Sequence, residues 1–188
     1  MNKLLATALF ATTLSATSLV ANAADYIIDT KGAHASINFK VNHMGFSYLT
    51  GRFNTFDGSF SWDAKDVAAS KITVNIDAAS VDSNHAKRDK HIRSDDFIDS
   101  AKFATATFQS TKVVDKGDNK LAISGDLTLH GVTKSIVIDA VKIGEGKDPW
   151  GGYRVGFSGT TKISMSDFGF KKNFGDVEFD LVIEGIRK

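Results

Sequence analysis

The sequence predicts an all-β protein: a closed or nearly closed antiparallel barrel of about eight strands, favoured over a two-sheet sandwich, with one short helical segment. Three observations lead there. Bulky apolar side chains fall on every second residue, in run after run, from Ala33 nearly to the C-terminus, and Phe39, Phe60, Phe108, Phe157 and Phe179 each sit inside such a run. Successive strand side chains point to opposite faces, so each run has one dry side and one wet side. The links between runs are short and turn-like, which suits antiparallel neighbours because parallel strands need long crossovers. One densely charged stretch, from Asn84 to Phe97, lacks this alternation. Closing the sheet removes its edges, and eight strands leave room for one small ligand.

The elements follow in chain order. Tyr26–Asp29 reads as a short first strand, and Lys31-Gly32 turns the chain. Ala35, Ile37, Phe39 and Val41 alternate with Ser36, Asn38, Lys40 and Asn42, a strong strand pattern. Met44 to Thr50 breaks the alternation and reads as a turn of helix. Gly51 to Trp62 resumes as strand, and Phe53 is out of phase with Phe56, Phe60 and Trp62, which predicts a bulge near Asn54-Thr55. Asp63 to Ser70 is polar and small, a loop or a short turn of helix. Ile72, Val74 and Ile76 then form an inner face. Asn84 to Arg93 reads as helix, followed by a turn capped by Ser94 with Asp95 and Asp96 in its first turn.

Thr105 to Val114 is a strand, and Lys116-Gly117-Asp118-Asn119 is a hairpin turn. Leu121, Ile123, Gly125, Leu127 and Leu129 share a face. His130-Gly131 turns into Val132 to Ile143. Gly144 to Gly152 reads as a long loop holding Pro149, the chain's single proline, beside Trp150. Tyr153, Val155, Phe157, Gly159, Thr161 and Ile163 share the next face. Ser166 to Asp176 carries Phe168, Phe170 and Phe174 between glycines, and Val177 to Ile183 ends the pattern.

The first 23 residues are expected to be a leader rather than part of the fold. A basic start at Lys3, an apolar stretch from Leu4 to Val20 and Ala21-Asn22-Ala23 read as a secretory signal peptide cut before Ala24. Residues 24–188 then form one domain of 165 residues, a length that can bury roughly 68–70% of its unfolded surface. With Lys3 gone the chain carries 22 basic and 22 acidic residues, and this balance argues against nucleic acid as a partner. Cys is absent, so no disulfide helps the core. Export to a bacterial periplasm is the simplest destination.

Little in the sequence supports catalysis or a metal. His34 and His43, read on one strand, face opposite sides roughly 30 Å apart. His85 and His91, six apart on a helix, do not chelate together. No zinc-ligand spacing and no G-x-S-x-G is present. The expectation is therefore a protein without cofactor or metal that is not an enzyme. The densest polar cluster is His85, Arg88, Asp89 and Arg93, where Asp89 is placed to pair with His85 and Arg93 at i,i±4. Its plain role is a solvated helix face. Its functional role is a basic grip, backed by Lys87 and Lys90, on an acidic ligand head at the barrel mouth.

The aromatics carry more. Thirteen Phe remain once Phe10 leaves with the leader. Small residues recur among the inward positions (Ala35, Gly58, Ser110, Gly125 and Gly159), leaving room beside large rings. Phe168, Phe170 and Phe174 lie in a glycine-punctuated stretch suited to gating an opening.

Three stretches resemble the YceI-like family. The run Ser80 to Phe97 (SVDSNHAKRDKHIRSDDF) is similar to its signature region, Gly125 to Lys134 (GDLTLHGVTK) to its second characteristic strand pair, and Asp148 to Phe157 (DPWGGYRVGF) to its third. The likeness spans essentially all of residues 24–188. It implies a lipocalin-like antiparallel barrel in the periplasm that binds long apolar molecules, chiefly polyisoprenoids and sometimes fatty-acid derivatives, with no settled enzymatic activity. Lys102-Phe103-Ala104 departs from the Tyr-Pro that relatives often have there. The family has no motif that specifies a ligand.

The expected function is thus a periplasmic protein that sequesters or ferries a polyisoprenoid, with transient membrane contact and a homodimer both compatible with it. An enzyme acting on such a lipid and a stress-linked scaffold without ligand are the alternatives. The expected wall is Phe39, Val41, Phe53, Phe60, Ile72, Val74, Phe108, Leu127, Phe157, Phe168, Phe170, Phe174 and Phe179, with Arg88 and His91 at the ligand's head.

Overall fold

The structure is a computed structural model describing residues 23–188. The expected leader therefore lies outside the described residues, save Ala23. Eleven strands among these residues form one antiparallel sheet: β1 (Ala24–Ile28), β2 (Ser36–His43), β3 (Ser47–Phe53), β4 (Phe56–Trp62), β5 (Lys71–Asp77), β6 (Val81–Asp82), β7 (Thr105–Gly117), β8 (Lys120–Leu129), β9 (Val132–Lys147), β10 (Tyr153–Ser164) and β11 (Asp176–Arg187).

These strands make eight staves, because three pairs continue one another. β1 and β2 both run along β11, with Ile28 opposite Gly185 and Ser36 opposite Val182. β4 pairs with β1 while β3 pairs with β2. β5 pairs with β4 while β6 pairs with β3. From β7 to β11 each stave is unbroken, and the β1–β11 pairing closes the barrel.

The breaks fall at one level. Residues 29–35 loop out between β1 and β2, Asn54-Thr55 separates β3 from β4 where the phase slip predicts a bulge, and a 3-10 turn over Ala78–Ser80 separates β5 from β6. Ser80 mends the wall there. Its carbonyl accepts from Asn54 N at 3.1 Å, and its hydroxyl accepts from Thr55 N at 3.0 Å.

Hairpin chemistry explains the links. Asp118 and Asn119 (φ 52° and 62°) and His130 and Gly131 (φ 53° and 73°) have positive φ at both central positions, the twist that two-residue hairpins favour. The expected helical turn at Met44–Thr50 is not formed. Met44 and Gly45 (φ 57° and 81°) make a tight turn, Phe46 N donates to His43 O at 3.0 Å, and Ser47 onward pairs with β2. The expected loop at Gly144–Gly152 is also shorter. β9 runs on to Lys147 because β10 supplies backbone partners opposite Gly144 and Gly146. His34 lies in the loop before β2 rather than on a strand.

The helical segment is α1 (Ala86–Ile92), trimmed at both ends by its caps. The His85 ring accepts from Arg88 N at 3.2 Å, and Arg93 N donates to Asp89 O. Asp89 pairs with neither His85 nor Arg93. It is buried and accepts from both the amide (2.8 Å) and the hydroxyl of Ser83. Burial would raise the Asp89 carboxyl pKa, but the Ser83 hydrogen bonds hold it below its ordinary value. Arg93 reaches instead to the carbonyls of Ala79 and Val81.

Inner faces follow the alternation. On β8, Leu121, Ile123, Gly125, Leu127 and Leu129 are all buried, and their intervening neighbours are more exposed. Gly125 has no side chain because a Cβ there would collide with the Phe108 ring. One end of the barrel, here the upper end, gathers the Met44–Phe46 turn, residues 83–104, the His130-Gly131 turn and residues 165–175.

Candidate functional site

The inner faces do not fill the barrel. An inner chamber of about 150 Å³ has no charged side chain among its lining residues, and Phe53, Phe60, Ile72, Val74, Phe108, Leu127, Phe157 and Phe179 of the expected wall all line it. An outer chamber of about 240 Å³ lies at the upper end, lined by Phe39, Val41, Phe53, Phe170, Phe174 and Phe179, together with Arg88 and His91. Phe53, Leu129 and Phe179 line both chambers and so form a partition between them. Phe168 is the one expected wall residue that lines neither. It is 1% exposed, in a 3-10 turn (Met165–Phe168) packed against β9 and β10, where its carbonyl accepts from His130 Nδ1 at 2.9 Å.

The lower end is plugged by rings. Tyr26 stacks on Phe60 at 5.0 Å, and Phe60 and Trp62 both meet Phe157 edge to face at 5.8 and 5.1 Å. Trp62 Nε1 donates to Glu145 at 2.9 Å. Burial would raise the Glu145 pKa, but bonds from Trp62 and Lys142 outweigh it and hold the carboxyl low. Trp62 was absent from the expected wall. It shares the phase of Phe60 on β4, the signal that points it inward, and it lines the inner chamber at its floor.

The upper end is closed by contacts between two short segments. Lys172 N donates to Asp96 O at 3.0 Å, Lys171 pairs with Asp95, and Lys172 Nζ lies 3.8 Å from Asp96. His91 Nε2 donates to Asp96 at 2.7 Å, and its ring meets Phe97, which stacks with Phe174 at 5.9 Å. Beside this seam the β2–β3 hairpin exposes Met44 (70%) and Phe46 (87%) in its turn and Tyr48 (58%) at the start of β3.

The strongest polar cluster lies elsewhere. Arg154 Nη1 donates to Asp29 at 2.6 Å and to Glu184 at 2.5 Å, and its Nε donates to Asp148 at 2.8 Å. Asp29 also accepts from Gly32 N and from His34 Nδ1. The Arg154 bond first, then those from His34 and Gly32, hold the Asp29 carboxyl far below the usual carboxylate range. Asp29, His34 and Glu184 are close enough to ligate a cation, but the Arg154 guanidinium occupies that place. This cluster staples the loop between β1 and β2 to β10 and β11. A wide groove over the outer faces of β2, β3, β10 and β11 is lined by ions of both signs, including the Lys40–Glu178 pair at 2.8 Å.

A YceI-like domain model matches residues 26–185. The chain belongs to the YceI-like family. A UPF0312 protein of Vibrio cholerae is 62% identical over 170 residues, covering 89% of this chain and 90% of that one. Among solved structures, the YceI protein of Campylobacter jejuni superposes with a TM-score of 0.72 at 30% identity, covering 79% of this chain and 90% of that one. A polyisoprenoid binding domain from Saccharophagus degradans, implicated in plant cell wall breakdown, shares the fold with a TM-score of 0.65 at 17% identity, covering 87% and 98%. No helix among the described residues is long and apolar enough to cross a membrane.

Proposed function

We propose that this YceI-like protein is a periplasmic carrier that takes up the tail of a long apolar lipid, most simply a polyisoprenoid, and releases it without chemical change. The observation that carries this is the pair of apolar chambers joined at a side-chain partition, the inner one without a charge on its walls. Moving each methylene out of water is worth about 0.8 kcal/mol, so a chain of tens of carbons needs a dry sleeve to cross an aqueous compartment. The similar fold of a domain described as polyisoprenoid binding adds support.

The chambers together reach only the lower end of the roughly 300–1,000 Å³ seen for drug-sized sites. A long tail therefore displaces the Phe53, Leu129 and Phe179 side chains as it enters. The exposed Met44 and Phe46 beside the mouth suit a brief touch on the donor membrane.

Native mass spectrometry of the protein taken from its own periplasm tests this, followed by identification of the extracted lipid. A mass excess matching an intact isoprenoid is expected. Equal native and denatured masses with an empty organic extract would favour the ligand-free scaffold. Conversion of the extracted lipid by the purified protein would favour an enzyme.

A further inference from the structure

We infer that the bound lipid carries an anionic oxygen head, a carboxylate or a phosphate, that is gripped by Arg88 at the mouth while the tail points to the inner chamber. This rests on the carrier reading above and adds the chemistry of the head. Arg88 is the single Lys or Arg lining the outer chamber, and no Asp or Glu lines it. It is partly buried, and no carboxylate among the described residues forms a salt bridge with it. Its Nε donates to Ser83 Oγ at 2.7 Å and its Nη2 to Ser83 O at 2.6 Å. These bonds fix the guanidinium plane and leave Nη1 without a protein acceptor among the described residues.

The nearby acids are engaged elsewhere. Asp89 receives both Ser83 donors, and Asp96 receives His91 and Lys172. A half-buried cation beside apolar walls and without a counter-ion is costly, and an oxyanion removes that cost through strong charge-assisted bonds. Arg presents several donors in one rigid plane, which suits carboxylate and phosphate oxygens. His91, committed to Asp96 and packed on Phe97, is not the grip. The inner chamber has no charged lining residue, so it offers the head no partner, and this sets the direction of the lipid.

The test measures binding of geranylgeranyl monophosphate, oleate and the neutral geranylgeraniol to the full barrel, read by Trp62 emission in a Trp150→Phe background. Wild type should bind one or both anionic probes about tenfold or more tighter than the alcohol. Which of the two gains identifies phosphate or carboxylate as the head. Arg88→Met should bind all three alike, and Arg88→Lys, which keeps charge but loses the fork, should fall between. Circular dichroism checks that each variant is folded, and the wild-type ranking stands without them. Equal affinity of wild type for all three probes overturns the head assignment and leaves the carrier reading intact. A preference that persists in Arg88→Met also overturns it. Failure of every probe to bind overturns both.

Discussion

Phe39 and Phe53, on adjacent strands, hold their rings 5.9 Å apart with planes tilted by 52°, at the level where the outer chamber meets the inner. Phe53 lines both spaces, so under the proposed carrier function it is part of the barrier a tail would pass. Phe53→Ala should join the chambers, lower stability by about 3–5 kcal/mol in denaturant unfolding, and speed uptake of a long-tailed lipid in stopped flow. Unchanged uptake kinetics in the folded variant would mean that the tail does not pass this point.

The inner chamber can be filled from its wall. Ala140 is buried and faces it from β9. Ala140→Phe should cost about 1–3 kcal/mol through overpacking. A shallow ligand would keep its affinity, and a twenty-carbon tail would lose most of its own. Calorimetry across a series of chain lengths reads this directly, and an equal loss at every length would contradict a tail seated in the inner chamber.

Acid should loosen the Arg154 staple. Asp29 has a lower pKa in the folded protein than in the unfolded chain, where about 3.9 applies. The folded state therefore binds fewer protons, and its advantage is complete above that value and fades as pH falls through and below it. Melting temperature should drop as pH is lowered from about 5 to 2.5. Asp29→Asn should melt lower than wild type at pH 7 and show a shallower fall, because the group that titrates is gone. Parallel curves for the two proteins would assign the acid sensitivity to other carboxylates.

The upper seam should respond to salt. Lys171–Asp95 and Lys172–Asp96 are exposed pairs, which add little to stability and are screened by ions. Lys171→Ala with Lys172→Ala should leave the melting temperature within about two degrees of wild type yet raise the rate of lipid release. Added salt should raise release in wild type and much less in the double variant. Equal salt dependence in both would move the gate elsewhere.

Much of the barrel is legible from alternation, because each inward run must stay dry. Leu121 to Leu129 and Val177 to Ile183 read straight off the chain and face inward as expected. What was missed depends on partners distant in sequence. Met44–Thr50 has no clear period, and only pairing with β2 shows it to be a turn and a strand. Gly144 and Gly146 suggest a loop by composition, but the β10 backbone keeps them in the sheet. Spacing on one helix pointed Asp89 to His85 and Arg93, while Ser83, just before the cap, was nearer with two donors. Arg154 meets Asp29 across 125 residues of chain, and no local pattern encodes that bond. For the same reason the mouth seam is not legible in the sequence, whereas Trp62 shares the phase of Phe60 and its inward turn is.

The three interruptions in the first three staves put these breaks in the cylinder's wall on one side. β7 to β11 run without a break, while the opposite flank is jointed at a single height by residues 29–35, Asn54-Thr55 and Ala78–Ser80. At that height the wall is fastened at single points, by Ser80 to Asn54 and Thr55 and by Arg154 to Asp29, rather than by a continuous ladder. The circumference thus stays whole while three of its eight staves owe their continuity to a few bonds at one level.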